Sequence, residues 1–140
     1  MVRQIKAEAR IAFVSIAKVK SKNIMTMVIY RAGYIEDIEF HEIDDIEDSL
    51  EKIKNSRHSK QIRYVVFDIE DGRILNLGDF IFPTIMINKE VVLKGLDESE
   101  YEILKNRGHI SDGLNICKII SRLIKNYDKV LPKVREFTKA

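Results

Sequence analysis

An apolar run at 62–67 constrains the fold of this 140-residue chain more than any other feature. Segment 62–69 reads IRYVVFDI, in which only Arg63 and Asp68 are charged. Strands covered on both faces have such near-continuous apolar sequences, whereas half-buried strands alternate apolar and polar residues. We therefore predict a central β-strand that delivers one carboxylate, Asp68, near its carboxyl end.

Three segments with strand character precede this central strand. Segments 10–20 and 24–33 are rich in β-branched and aromatic residues and are separated by a short polar turn. After Gly33, segment 34–43 alternates apolar and acidic residues, as a half-buried strand does. The three segments predict an antiparallel meander, with 62–69 lying beside and parallel to 10–20.

An amphipathic helix is predicted at 44–57, between the meander and the central strand. Asp44 or Asp45 can cap its first turn, and apolar residues then recur at helical spacing on one face. After the central strand, 80–87 predicts a second buried strand, with Pro83 at an edge or early in the strand. The remaining predicted elements are a short strand or loop at 88–96 and helices at 97–106, at 110–127 and from Pro132 onwards.

The connection at 70–80, EDGRILNLGDF, allows two topologies. Its Asp-Gly pair between apolar runs is a hairpin signal, which would pair 73–77 with the central strand in antiparallel fashion. A crossover would instead make 80–87 parallel to the central strand, although such connections usually need a dozen or more residues. The sequence leaves both topologies open.

Composition restricts the class of protein. The chain carries 24 Lys and Arg against 22 Asp and Glu, so its net charge of +2 gives no global attraction to nucleic acid. No apolar run approaches the roughly 18 residues of a membrane span, and the N-terminus is too charged for a signal peptide. A single cysteine, Cys117, excludes an internal disulfide framework. We expect one cytoplasmic domain over 1–140, with no membrane partner.

Several segments together resemble a known family. SRHSKQIRYVVFDIEDG at 56–72 is similar to that family's SRHYGQLRVIMLDGITFGG and carries most of the likeness. The other similar segments are EARIAFVSIAK at 8–18, MVIYRAGYIEDIEF at 27–40, FPTIMINK at 82–89 and LPKVREFTKA at 131–140. The chain thus resembles an archaeal family of uncharacterised proteins (domain of unknown function ninety-nine) that is related to endonuclease V.

The resemblance implies a ribonuclease H-like, endonuclease V-like α/β fold, with a mixed five-stranded sheet flanked by helices. In such nucleases, carboxylates from the first and fourth strands converge on magnesium or manganese. Asp68 would be the fourth-strand ligand, but Ser15 and Ile16 stand where the family has paired aspartates. We therefore expect Asp68 to be a vestigial catalytic and metal-binding residue, with a metal cofactor only if the nuclease is active.

An active metal-dependent nuclease is the least favoured hypothesis. Glu70, Asp71 and Asp112 are further acids, but none has the spacing of a second ligand. Asp68 also has a structural interpretation, because an aspartate followed by Glu-Asp-Gly can cap a turn.

Nucleic-acid binding without cleavage is a further prediction, with binding of a protein partner as its alternative. Aromatic side chains can stack on bases while neighbouring cations neutralise phosphates. The resemblance places the Tyr-Arg-Ala-Gly-Tyr stretch beside the expected substrate groove, and we expect weak, salt-sensitive binding there. The candidate contacts are Tyr30, Arg31, Tyr34, Arg57, His58 and Lys60.

Structural interpretations compete with several of these assignments. His58 follows a predicted helix, where a cation interacts favourably with the helix dipole. Lysines at 18, 20 and 22 would protect an edge strand against aggregation. Cys117 lies among isoleucines on an apolar helix face, which predicts a core residue rather than a nucleophile.

The second fold hypothesis is a redox-inactive, thioredoxin-like interaction protein. Segment 82–104 is similar to the half of a thioredoxin in which a cis-proline, here Pro83, precedes a strand, a hairpin and a helix. The redox pair is missing, because 31–34 reads RAGY. Three antiparallel strands before the first helix would favour the ribonuclease H-like plan instead.

Overall fold

The computed structural model describes residues 9–68, 75–87, 90–107 and 109–138, with side chains as far as residue 124. These residues form a six-stranded mixed sheet flanked by helices. The strands are Arg10–Val19 (β1), Lys22–Arg31 (β2), Tyr34–Ile43 (β3), Ile62–Asp68 (β4), Thr84–Ile87 (β5) and Val91–Lys94 (β6). The helices are Asp48–Lys54 (α1), Glu98–Asn106 (α2) and His109–Thr138 (α3).

The order of the strands is β3-β2-β1-β4-β5-β6. β1, β2 and β3 form the predicted antiparallel meander, and β4 lies centrally, parallel to β1 on one side and to β5 on the other. The central parallel strand is therefore confirmed. Because both edges of β4 are occupied, the hairpin pairing with 73–77 is wrong and the connection after β4 is a crossover. Residues 69–74 of this connection lie outside the described residues.

The outer end of the sheet differs from the prediction of five strands. β6 pairs antiparallel with β5 and becomes the edge strand, so 91–94 is a strand rather than a loop. β5 has only four residues and begins directly after Pro83. Proline cannot donate to a ladder, but its carbonyl can accept, and Pro83 O accepts a hydrogen bond from Val65 N at 2.9 Å.

The thioredoxin-like hypothesis does not agree with this structure. Three antiparallel strands precede α1, and this arrangement favours the ribonuclease H-like plan over the thioredoxin-like one. The hypothesis also required a cis-proline at Pro83, whereas every peptide bond among the described residues is trans.

The helices differ from their predicted bounds at two places. α1 starts four residues later than the predicted segment 44–57, and its N-cap is Glu47, without a side-chain cap hydrogen bond, rather than the predicted Asp44 or Asp45. Asp45 Oδ1 instead accepts from Asp48 N, in the turn before the helix, at 3.0 Å. The predicted segments 110–127 and Pro132 onwards form one continuous helix, α3. Pro132 lacks an N–H and so removes one helical hydrogen bond without ending the helix.

Two apolar cores lie on opposite faces of the sheet. The first, under α1, includes Val14, Met27 and Phe67, and the second, under α2 and α3, includes Phe13, Val28 and Val66. Strand residues alternate between the two cores because successive side chains point to opposite faces. No helix among the described residues combines the length and apolar character needed to cross a bilayer.

Close approach of α3 to β1 depends on Gly113. A Cβ atom added at Gly113 would lie 2.1 Å from the ring of Phe13, which is far inside van der Waals contact. The fully buried Phe13 ring therefore occupies the space where a side chain of α3 would be. This contact sets α3 against β1 at Phe13, two residues before Ser15 on the same face of the strand.

Candidate functional site

Ser15 stands opposite Asp68, near the carboxyl ends of the parallel strands β1 and β4. Asp68 alternates with Val66, which belongs to the core under α2 and α3, so its side chain lies on the α3 face of the sheet. Asp68 is 9% exposed. The predicted position of Asp68, at the end of its strand beside Ser15, is confirmed.

Two residues of α3 complete a buried polar group around Ser15. The Oγ atoms of Ser15 and Ser121 are 2.9 Å apart, and Cys117 is fully buried between the helix and the sheet. The prediction that Cys117 is a core residue is confirmed. We call Ser15, Asp68, Cys117 and Ser121 the carboxyl-end cluster.

The thiol in this cluster is held protonated. The pKa of Cys117 is raised to about 12. Burial is the largest cause of this rise, and the negative charge of Asp68 is the second. A hydrogen bond with Ser15 acts in the opposite direction but is outweighed. Because the thiolate is the reactive form of cysteine, the raised pKa disfavours nucleophilic chemistry at Cys117.

The carboxyl-end cluster does not fit the divalent cation of a ribonuclease H-like nuclease. Magnesium and manganese prefer charged oxygen ligands, whereas Asp68 is joined here by two hydroxyls and a protonated thiol. Within the described part of the chain, no convergence of three histidine, cysteine, aspartate or glutamate side chains includes Asp68.

Of the other acids considered from the sequence, only Asp112 lies within the described residues, and it contacts Tyr30 rather than Asp68. Asp112 lies beside Tyr30, whose hydroxyl is 3.4 Å from Asp112 Oδ2. Burial and then Asp112 raise the pKa of Tyr30. Glu70 and Asp71 lie outside the described residues.

A second polar cluster forms where the turn after α1 meets the edge strand β3. Ser56 Oγ donates to Glu39 Oε2 at 2.7 Å, and Arg57 Nη2 donates to Asp37 Oδ2 at 2.5 Å. His58 Nε2 is 2.7 Å from the same Asp37 oxygen. We call these five residues the amino-end cluster. In it, three consecutive residues of one turn contact two carboxylates of one strand.

Strand alternation brings the two carboxylates together. Asp37 and Glu39 are two residues apart on β3, and their cross-strand partners Ile29 and Met27 belong to the core under α1. The carboxylates therefore lie on the α1 face of the sheet. On the other side of the cluster, the carbonyl of His58 accepts hydrogen bonds from two backbone N–H groups at the start of β4, which fixes the turn.

The electrostatic interactions of the amino-end cluster centre on the carboxylate of Asp37. Hydrogen bonds from Arg57 and then from His58 lower the pKa of Asp37 to about 2, so this carboxylate stays ionised in ordinary buffers. The same contact with Asp37 raises the pKa of Arg57. The dipole role predicted for His58 overlooked this carboxylate partner.

A neighbouring ion-pair group surrounds Glu36, at the bulge in β3. Arg10 Nε lies 2.7 Å from one Glu36 oxygen, and Arg31 Nε lies 3.1 Å from the other. The hydrogen bond from Arg10 is the main cause of a lowered pKa for Glu36. The Arg31 guanidinium also lies over the ring of Tyr34, 5.7 Å from its centroid.

The predicted nucleic-acid contacts have unequal access to solvent. Tyr30 is only 2% exposed, with its ring edge-on to Phe13 and His109, so it is not available for stacking on a base. Tyr34 and Lys60 are exposed. The three remaining candidates, Arg31, Arg57 and His58, are exposed to different degrees but pair with acids of β3.

The two clusters do not form one site. Asp68 ends β4, whereas His58 precedes its first residue, and six residue steps along a strand span roughly 20 Å. The clusters also lie on opposite faces of the sheet. The Tyr-Arg-Ala-Gly-Tyr stretch lies at the amino end of β1 and therefore not beside Asp68.

Sequence reasoning missed the acidic half of the amino-end cluster. The alternation of acids at 34–43 was used only to predict a strand, although it also placed Asp37 and Glu39 on one face. Nothing in the sequence pattern signals the contact of Ser121 with Ser15, because these residues are 106 positions apart.

Comparison with known proteins assigns this chain to no family. No family model and no curated protein matches the chain. A solved structure of a protein of unknown function from Archaeoglobus fulgidus DSM 4304 is similar, with 16% identity and a TM-score of 0.49. The similarity covers 69% of this chain, which spans only 61% of that protein. The described residues by themselves define an α/β protein with a six-stranded mixed sheet.

Proposed function

We propose that this chain is a catalytically silent relative of ribonuclease H-like, endonuclease V-like nucleases, which acts by binding rather than by cleavage. The strand order supports the fold half of this proposal, since an antiparallel meander precedes a helix and two further strands parallel to β1. The single observation that carries the functional half is the pairing of Ser15 with Asp68. The resemblance expects a second carboxylate beside Asp68 for two-metal cleavage, and the neighbouring residue on β1 is a serine with a neutral hydroxyl.

Cleavage assays test the functional half. The wild-type protein and Asp68→Asn are incubated with DNA and RNA, including deaminated substrates, in magnesium and in manganese. We expect no cleavage above the level of Asp68→Asn in either metal. Divalent-dependent nicking by the wild type that disappears in Asp68→Asn would contradict the proposal and make Asp68 a working ligand.

Nucleic acid is the first candidate for what is bound. Tyr34 and Lys60 are exposed, and Arg57 is exposed over most of its side chain, so phosphate can reach these groups. Because Arg57 already pairs with Asp37, binding has to break that ion pair and is weak. A fluorescent single-stranded oligonucleotide should bind more weakly as salt rises, and Lys60→Ala should reduce the affinity uniformly across sequences.

A protein partner is the second candidate, and the edge strand β3 favours it. Ile35, Ile38 and Phe40 lie on the α3 face but stay exposed, because α3 packs on β1 and β2. An edge strand with an apolar face can pair with an extended segment of another chain. Self-association of the wild type in sedimentation experiments, abolished by Phe40→Ser, would support this candidate over nucleic acid.

A further inference from the structure

The amino-end cluster contains three side chains of types that ligate metals. One oxygen of Asp37, one of Glu39 and one ring nitrogen of His58 all lie within 4.8 Å of one another. Each side chain is about one-fifth exposed, so an ion can enter from solvent while the ligands remain held by the fold.

The spacing suits a single small cation. Ligand atoms at about 2.1 Å from an ion lie at most about 4.2 Å apart, so modest side-chain adjustments bring these three into one shell. We propose that Asp37, Glu39 and His58 bind one divalent transition-metal ion, which ties the edge strand β3 to the turn after α1. This site is separate from the carboxyl-end cluster and does not depend on the proposed function.

Supporting contacts hold two of the ligands in place. Ser56 Oγ binds Glu39 Oε2, and the backbone N–H of Ile38 donates to Asp37 Oδ1 at 2.9 Å. Hydrogen bonds of this kind orient ligating carboxylates in metal sites. The His58 backbone is fixed by its carbonyl contacts with the start of β4. The cluster is therefore largely preformed, which lowers the entropic cost of binding.

Metal binding would exchange one set of contacts for another. The ion takes the place of the contact between His58 Nε2 and Asp37, and the neutral imidazole that ligates through Nε2 carries its one proton on Nδ1. Arg57 competes with the ion for Asp37, but its side chain is 72% exposed and can move into water at little cost. The resulting charge is balanced, because two carboxylates face one dication.

The donor set indicates the class of metal. One imidazole nitrogen with two carboxylate oxygens suits zinc and manganese better than magnesium, which prefers oxygen ligands alone. Zinc should bind more tightly than manganese, following the general affinity order of first-row divalent ions. Three protein ligands leave a position for water, so the affinity should be lower than in a four-ligand structural site.

Zinc titration of the full chain tests the proposal, by calorimetry or by competition with a zinc-sensitive dye at neutral pH. We expect one saturable site in the wild type and at least tenfold weaker binding in His58→Ala and in Glu39→Gln. Glu39→Gln preserves the shape of the side chain and so guards against a loss of folding. His109→Ala is the matched control, because it removes a histidine on the other face of the sheet and should bind like the wild type.

Arg57→Ala adds an expectation of the opposite sign. Removing the competing cation should leave zinc binding no weaker and up to about fivefold tighter, the worth of an exposed ion pair. If the cluster forms ion pairs and hydrogen bonds but binds no metal, the wild type will bind zinc no better than Glu39→Gln. That result overturns the proposal. Weaker binding by Arg57→Ala, or equal losses in His109→Ala and His58→Ala, overturns it as well.

Discussion

The two ends of the sheet carry polar clusters of opposite character. The carboxyl-end cluster is buried under α3 and contains one carboxylate, two hydroxyls and a protonated thiol. The amino-end cluster is half-exposed and joins two carboxylates to an arginine and a histidine. Among the described residues, the carboxyl-end cluster, where the resemblance predicts a metal site, contains one carboxylate, whereas the amino-end cluster brings two carboxylates and a histidine within 4.8 Å of one another.

Ser15→Asp challenges this contrast most strongly, because it restores the carboxylate that the resemblance predicts. The new group would be buried beside Asp68, and an unpaired buried charge costs about 3–5 kcal/mol. We expect a urea titration to show a loss of that order. Ser15→Ala, which only removes the hydroxyl contact with Ser121, should cost about 1 kcal/mol. Equal effects of the two substitutions would show that the carboxyl end tolerates charge.

The reactivity of Cys117 measures how well the carboxyl-end cluster is buried, without a mutation. With its pKa raised to about 12 and its side chain buried, Cys117 should react with iodoacetamide at pH 8 at least a hundredfold more slowly in the native protein than in urea. The unfolded chain serves as the internal control, since both states contain the same single cysteine. Rapid labelling of the native protein would mean that α3 leaves the carboxyl-end cluster open to solvent.

Gly113→Ala tests whether α3 packs tightly on β1 at Phe13. The added methyl group meets the Phe13 ring, so the overpacking should outweigh the better helix propensity of alanine and cost about 1–3 kcal/mol. Ser111→Ala, at an exposed position of the same helix, should change stability by less than about 0.5 kcal/mol. A stabilised Gly113→Ala would place α3 farther from β1 than the structure has it.

How far the sequence predicted the molecule depended on the range of the interactions. The apolar run at 62–67 and the alternating runs before it indicated the meander and the central strand, because burial imposes periodicity directly. Pairing between distant segments leaves no such mark, so the topology after Asp68 and the strand β6 stayed open. The same limit applied to the sites, since the position of Asp68 followed from local pattern but its contacts with α3 did not.

Asp37→Asn examines the amino end, where the effects should be smallest. Exposed ion pairs are worth at most about 1 kcal/mol, so the loss of stability at neutral pH should be small and should shrink further in high salt. Glu42→Gln is the matched control. Glu42 lies on β3, like Asp37, and forms an exposed ion pair with Lys22 of β2. A salt-independent loss of several kcal/mol would indicate a desolvated cluster instead.

The acid dependence of the amino end has a defined sign. The pKa of Asp37 is about 2 in the folded protein, below its ordinary value of 3.8. Its contribution to stability is therefore present above about pH 4 and is lost as the pH falls through 4 towards 2. Asp37→Asn should remove that part of the acid dependence, so the wild type and the variant should converge near pH 2. Divergence at low pH would contradict the assignment of the lowered pKa.

Manganese provides the most direct measurement of the contrast between the two ends, because its unpaired electrons broaden amide NMR signals only near the bound ion. The full chain, isotopically labelled, is titrated with substoichiometric manganese, and the loss of signal is mapped onto the sheet. The account predicts broadening centred on Asp37, Glu39 and His58, with the signals of Ser15 and Asp68 retained. Broadening centred on Ser15 and Asp68 would contradict it and place a metal at the carboxyl end.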